Sequence, residues 1–288
     1  MDDVSPLPFA AILSEIDQSA PFAPEPERRR TRYRTIWISD VHLGTRGCNA
    51  RLLIDFLDST DSDTMYLVGD IIDGWRLRRR FYWPAEHNDI VWRILKRARR
   101  GTRLVYIPGN HDEMFRQFAG LNFGGVEIRR KAIHETADGR RLLVLHGDEF
   151  DAVMLAHRWL AHVGDVAYGL LMRANHVVNV IRRRFGMPYW SLSRHAKHKV
   201  KNAVEFISRF EEVVAHEAAM RGVDGVVCGH IHTPEIRDIA GVAYYNDGDW
   251  VEGCTALVEH FDGRMEVLHW ADEVAARASA TRAGALAA

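Results

Sequence analysis

Five short polar signatures carry side chains that bind cations or move protons: Asp40-x-His42, Gly69-Asp70-x-x-Asp73, Gly109-Asn110-His111-Asp112, His146-Gly147-Asp148 and Gly229-His230-x-His232. Carboxylate, imidazole and amide oxygen donors with no thiolate suit Mn²⁺, Fe or Zn²⁺ in a catalytic setting rather than a structural zinc. Asp40, His42, Asp70, Asn110, His146, His230 and His232 exceed the three or four ligands of one catalytic ion, so two divalent ions sharing a ligand fit the count. A two-metal centre activates water at neutral pH and clamps the attacking and leaving oxygens of a displacement at phosphorus. Hydrolysis of a phosphoric ester or anhydride is the chemistry implied. Any one of these motifs alone reads equally well as a turn or a helix cap; five in series do not.

Residues spread from position 40 to position 232 need a scaffold that brings them together. Each signature follows a short apolar run: Thr35 to Ile38, Met65 to Val68, Leu104 to Ile107, Leu142 to Leu145 and Val226 to Cys228. Runs of this length, rich in Val and Ile, are what strands buried on both faces look like. In an open α/β sheet the carboxyl ends of the strands converge on one crevice. The glycines beside the ligands (Gly69, Gly109, Gly147, Gly229) allow the sharp turns this requires. Helices are expected over Arg51 to Leu57, with Asn49 as cap, and over Glu86 to Arg100, with Ile90, Ile94 and Leu95 on one face and Gly101 as the stop. Runs at Val242 to Tyr245, Thr255 to Val258 and Met265 to His269, the last two joined at Asp262-Gly263, predict an antiparallel finish.

The 288 residues hold 38 Lys and Arg against 39 Asp and Glu, so no global basic excess advertises nucleic-acid or membrane binding. The neutrality conceals an asymmetry. From Ala152 to Phe210 ten basic residues face two acidic ones, including Arg182, Arg183, Arg184, Lys197 and Lys201. This segment carries two helical patterns, one with the apolar stripe Leu155, Trp159, Val163, Val166 and Leu170, and reads as an inserted basic cap over 151–222. The stripe is either the face that docks the cap or an acyl or membrane-contact face. Residues 1–33, with five prolines and Arg28-Arg29-Arg30, read as a flexible arm, and the Ala-rich 273–288 as a disordered tail. The acidic residues Asp2, Asp3, Glu15 and Asp17 argue against a cleaved signal peptide, and three separated cysteines argue against a disulfide framework, so a cytoplasmic protein is expected.

The five motifs, in this order, resemble the calcineurin-like metallophosphoesterase superfamily over about Thr35 to Trp270. The resemblance implies an α/β fold: a four-layer sheet sandwich flanked by helices, built from residues 34–150 and 223–272, with 151–222 as the inserted helical cap. It implies that Asp40, His42, Asp70 and His232 hold one ion and that Asp70, Asn110, His146 and His230 hold the other, with Asp70 bridging. It makes His111 the group that protonates the leaving oxygen or stabilises the transition state, and Asp73 the carboxylate that orients its imidazole. The expected cofactors are two divalent ions, Mn²⁺ foremost, with Fe or Zn²⁺ as alternatives.

Within the superfamily, the basic insertion and the ending Tyr245-Asn246-Asp247-Gly248-Asp249-Trp250 are similar to the UDP-2,3-diacylglucosamine diphosphatase-related branch of lipid A biosynthesis. Enzymes of that branch release UMP and an acylated sugar phosphate. The sequence departs from the strict lipid A enzyme at His111, where that enzyme carries arginine. A UDP-linked acylated sugar, or another amphiphilic phosphoester met at the inner face of the cell membrane, is the expected substrate; nucleic acid and soluble nucleotides are the alternatives. A non-enzymatic interaction module on the same fold would be expected to lack ligands. Arg76 and Arg80, in the cation-and-aromatic segment Trp75 to Trp83, join Arg182, Arg183, Arg184, Lys197 and Lys201 as candidate substrate contacts.

Overall fold

The computed structural model describes residues 30–151, 207 and 209–287. Two sheets stack face to face. The chain runs β1 (Thr31–Ile38), α1 (Ala50–Ser59), β2 (Thr60–Leu67), α2 (Gly74–Arg79), α3 (Ala85–Arg99) and β3 (Arg103–Tyr106). After a 3₁₀ turn at Glu113–Phe118 come β4 (Asn122–Phe123), β5 (Val126–Ile128), β6 (Ala132–Glu135) and β7 (Arg141–Val144). A helix over 209–220, here α4, leads to β8 (Gly225–Cys228), β9 (Glu235–Ile239), β10 (Val242–Asn246), β11 (Thr255–Glu259), β12 (Met265–His269) and α5 (Trp270–Ala287). The larger sheet has the order β12-β11-β1-β2-β3-β5-β4 and the smaller β6-β7-β8-β10-β9. At the centre of the larger sheet β1, β2, β3 and β5 are parallel, and in the smaller so are β7, β8 and β10.

Side-chain alternation explains the layers. Trp37, Tyr66, Val68, Val105 and Ile107 point inward from the larger sheet onto Leu142, Val144, Val227 and Tyr245 of the smaller one. Their sequence neighbours Ile36, Ile38, Met65, Leu67 and Leu104 point outward and pack under α1, α3 and the start of α5. On the far side Leu143, Leu145, Val226 and Tyr244 pack against Phe210, Val214 and Ala218 of α4. Helix, sheet, sheet and helix form the four layers, with strands buried on both faces as their continuous apolar runs require.

Several local expectations change. Strand β1 begins at Thr31, inside the stretch read as a flexible arm, because Tyr33 is buried and Thr31, Arg32 and Tyr33 pair with Thr60, Asp61 and Ser62. The buried face of α3 is His87, Ile90, Ile94 and Arg97; Leu95, one residue round the helix, faces solvent. Asn49 stands at the N-cap of α1 without capping it, since its amide donates to the Val251 carbonyl. The segment read as a disordered tail is helical to Ala287, as its alanine content favours. Its start is fixed by Trp270, which packs edge-on against Phe56 and donates to Asp55. Most of the inserted cap, and with it Arg182, Arg183, Arg184, Lys197 and Lys201, lies outside the described residues.

A buried carboxylate ties the two sheets together. Glu259 on β11 accepts from Arg34 (2.7 Å), Thr35 (2.9 Å) and the Ala137 N–H (2.7 Å), and lies 2.8 Å from His134 Nε2 on the smaller sheet. Burial alone would raise its pKa, but His134, the Ala137 N–H and Arg34 together hold it below the ordinary glutamate value. Its contribution is therefore complete above about pH 4.3 and fades as the pH falls through the lowered folded-state value. Glu259→Ala should cost about 3–5 kcal/mol in urea unfolding at pH 7, because it strands the buried partners. The gap between variant and wild type should narrow below pH 4; a gap independent of pH would show that the carboxylate charge is not what binds the sheets.

Candidate metal centre

The loops that follow β1, β2, β3, β7 and β8 bring Asp40, His42, Asp70, Asn110, His146, His230 and His232 to one end of the sandwich. The backbone is strained where it does so. Asp40, His42, Asp70, His230 and His232 all have positive φ, between 49° and 70°, a region that costs a non-glycine residue roughly 1–2 kcal/mol. Hydrogen bonds between loops hold these conformations: Asp40 N–H to Gly69 O, His42 N–H to Asp70 O, Gly229 N–H to His146 O and Trp250 N–H to Asp40 O, all between 2.9 and 3.2 Å. The backbones also approach closely. A Cβ on Gly109 would lie 2.6 Å from His146 Nε2, and one on Gly229 would lie 2.7 Å from Asp40 Oδ2.

Three groups result, each with its donor atoms within 4.8 Å of one another: Asp40, His42 and His232; Asp70, His146 and His230; and, sharing His42 with the first, His42, Asp73 and His111. His232 Nε2 is 3.0 Å and His42 Nε2 3.8 Å from Asp40 Oδ1, and His146 Nε2 is 3.4 Å from Asp70 Oδ2. Asp70 groups with the second set, and sharing between the sets is a matter for its one carboxylate.

Three of the donor atoms are buried without a hydrogen bond. Asp40 Oδ2 accepts from Ser39 Oγ and the His230 N–H, which leaves Oδ1 buried without a hydrogen-bond partner. His146 Nδ1 donates to the Val68 carbonyl at 2.8 Å, which turns Nε2 toward the centre, and this atom is likewise buried without a hydrogen-bond partner. Asn110 Oδ1 is a third such orphan. Buried polar atoms left unpaired cost about 1–3 kcal/mol each, and three around facing carboxylates fit the binding of divalent cations.

His111 and Asp73 also meet. Asp73 caps α2 by accepting the Arg76 N–H on Oδ1, while its Oδ2 stands 3.2 Å from His111 Nδ1 and 3.4 Å from His42 Nδ1. Both imidazoles thereby turn Nε2 toward the centre, with that of His111 3.9 Å from Asp70 Oδ2. Trp75 lies over the outer side of His111, ring centroids 4.2 Å apart. Arg76 and Arg80 are exposed on and just beyond α2, the short helix that Asp73 caps.

Three further residues support the centre. Asp112 makes no helix-cap bond and is fully buried, accepting from the N–H groups of Ile71, Ile72 and Gly109 and from the Tyr106 hydroxyl. It clamps the Asp70 loop to the Asn110 loop. Buried Asp247 reaches Asp40 through the shared Ser39 hydroxyl, and burial raises its pKa well above the usual range. Asp151 Oδ1 lies 2.9 Å from His230 Nε2. In sequence Asp112 and Asp247 lie inside the signatures and Asp151 follows one, but no pattern gives any of them a role of its own.

Comparison with known proteins bears on this arrangement. The calcineurin-like phosphoesterase family profile matches residues 33–234. The UDP-2,3-diacylglucosamine hydrolase of Chromohalobacter salexigens is 25% identical over 224 residues, 71% of this chain and 82% of that protein. The DNA polymerase II small subunit of Methanothermobacter thermautotrophicus is 23% identical over 210 residues, 60% of this chain and 42% of that protein. Among solved structures, Vps29 complexed with Zn²⁺ from Entamoeba histolytica is 13% identical with a TM-score of 0.39, over 82% of this chain and 98% of that one.

The electrostatics of the centre set a pH dependence for cation binding. Burial opposes a charge on His146, but Asp70 and then Asp40 outweigh it and hold the imidazolium pKa up at about 10. A cation needs the Nε2 lone pair and must displace that proton. Mn²⁺ affinity should therefore rise about tenfold per pH unit between pH 6 and 9, with proton release seen by calorimetry in buffers of different ionisation enthalpy. Affinity constant over that range would contradict the pairing of His146 with Asp70.

Proposed function

The chain belongs to the calcineurin-like phosphoesterase family, and from that premise we propose that it is a dimetal phosphoesterase that hydrolyses a pyrophosphate or phosphodiester bond in an amphiphilic, UDP-2,3-diacylglucosamine-like substrate. The observation that carries the hydrolase reading is the pair of facing ligand sets with orphaned donor atoms at Asp40, Asn110 and His146. The finer substrate reading is supported by the relative that acts on UDP-2,3-diacylglucosamine and by the excess of basic residues between Ala152 and Phe210. Among the described residues no helix is long and apolar enough to cross a membrane. We place the enzyme in the cytoplasm, at the inner face of the membrane where such a substrate would lie.

Asp40, His42 and His232 would hold one divalent ion and Asp70, Asn110, His146 and His230 the other, with Asp70 between them. Such ions supply Lewis-acid neutralisation of phosphoryl oxygens and lower the pKa of water. The protein's own groups would do the rest. His111 Nε2 faces the centre, and Asp73 Oδ2, 3.2 Å from Nδ1, would orient the ring. It would hydrogen-bond a non-bridging oxygen as charge develops and give its proton to the departing oxygen. Trp75 limits tilting of the imidazole and shields its outer side. Asp112 fixes the spacing between the Asp70 and Asn110 loops, and so the separation of the two ligand sets.

Incubation of the purified protein and Mn²⁺ with UDP-2,3-diacylglucosamine should release UMP, and chelation should stop it. A parallel arm with an oligonucleotide and a soluble dinucleotide tests the alternative; turnover there, with none on the lipid, would overturn the substrate reading. Asp70→Ala should abolish turnover with a cooperative unfolding transition retained. His111→Gln should lower the rate by about 10²–10⁴ while two ions per chain stay bound. Loss of bound ions in that variant would make His111 a ligand.

A further inference from the structure

Beside the metal centre lies a cavity of about 270 Å³ that the mechanism above leaves unused. Its walls come from the loop and helix start at Thr45 to Leu52 and from the segment Tyr82 to His87. Four features make it a site for an anion. Arg46 and Arg51 both line it, and neither has an ion pair among the described residues. The N-terminus of α1 opens onto it: there is no acidic residue in the first turn, and the Asn49 side chain is drawn off to the Val251 carbonyl, so the first N–H groups are uncapped. His87 lines the cavity while 98% buried. Its Nδ1 accepts the Gly44 N–H at 3.1 Å, so the proton of the neutral ring sits on Nε2, which has no partner among the described residues. The fourth feature is aromatic: Arg46 stacks over the Tyr82 ring at 5.5 Å, which fixes the guanidinium and offers a flat wall.

The cavity is close to the reacting centre. Gly44, whose N–H His87 holds, is two residues from His42, and Thr45 donates to the His42 carbonyl through both N–H and hydroxyl. Arg46 is four residues from His42, so their Cα atoms lie within about 14 Å. A nucleoside joined through phosphate to the reacting phosphorus spans a comparable distance.

We propose that the cavity between residues 45–52 and 82–87 is the subsite for the nucleoside monophosphate half of the substrate, with Arg46, Arg51 and the α1 N-terminus on its phosphate and the Arg46–Tyr82 stack beside its base. This rests on the reading above of a nucleoside-diphosphate-linked substrate. The single acid lining the cavity, Glu86, opposes the phosphate and limits affinity.

The test is UMP binding to the full chain by calorimetry, once with chelator and once with Mn²⁺. Inorganic phosphate and glucosamine 1-phosphate serve as further probes. With chelator present, UMP should bind more tightly than either probe. The double variant Arg46→Ala, Arg51→Ala, both exposed positions, should weaken UMP binding at least tenfold in both conditions, and Glu86→Gln should tighten it. Unchanged UMP binding in the double variant would overturn the subsite, as would glucosamine 1-phosphate or inorganic phosphate binding as tightly as UMP. The two readings fail separately. If UDP-2,3-diacylglucosamine is not cleaved yet the double variant loses UMP, the subsite stands and the lipid substrate falls; cleavage with UMP binding unaffected does the reverse.

Discussion

The concentration of buried carboxylates at one end of the sandwich is the constraint to which the rest answers. Asp40, Asp70, Asp112 and Asp247 are each 2% exposed or less, and among the described residues no lysine or arginine side chain is hydrogen-bonded to any of them. Taking even one carboxylate out of water is costly, and several near one another repel. The protein distributes the cost unequally. Asp112 is met by three backbone N–H groups and a tyrosine hydroxyl, and burial with the neighbouring charge favours protonated Asp247, whereas the pKa values of Asp40 and Asp70 are lowered against their burial by His232 and His146. Two carboxylates are thus kept ionised and two are absorbed into the scaffold, and the ionised ones are those with imidazoles across from them.

That arrangement is possible because the loops extend the sheet rather than leave it. Leu43 and Ile71, beyond the ends of β1 and β2, still pair through the backbone, so the strands' register carries into the loops. Left-handed backbone at five ligand positions then turns side chains inward that an ordinary strand end would send to alternate faces. Strain of this kind persists only where the surroundings over-determine it. Here they do, through interloop hydrogen bonds and glycines whose missing Cβ atoms make room for the ligands.

Much of this was legible in the sequence, for a physical reason. Strands buried on both faces must be continuous apolar runs, and a polar residue directly after such a run in a parallel sheet has few places to go but the crevice. The runs before Asp40, Asp70, Asn110, His146 and His230 therefore located the layers and the residues that the fold gathers at one end of the sandwich. Elements that owe their existence to partners rather than to pattern were hidden. Strand β9, Glu235-Ile-Arg-Asp-Ile239, is an exposed edge strand held by β10, and β4 is two exposed residues. Asp112 follows Asn110-His111 in what reads as a turn, and only the fold reveals that its oxygens reach back forty residues to Ile71 and Ile72. His87 sits on a helix with an apolar stripe, where a lone histidine reads as core; the cavity beside its free nitrogen comes from a loop some forty residues earlier.

The division between what was legible and what was hidden follows a division of labour in the molecule. Asp40, His42, Asp70 and His146 lie buried at the ends of core strands, so a change of side chain there must disturb the packing around them. The residues around the rim, Arg46, Arg51, Trp75, Arg76 and Arg80, are exposed, on short helices or loops anchored by one or two contacts such as the Asp73 cap and the Gly44–His87 bond. A rim of this kind can be altered one residue at a time without touching the sheets, while the centre cannot. The same scaffold is thereby free to vary its rim while the strand ends that hold the centre stay as they are.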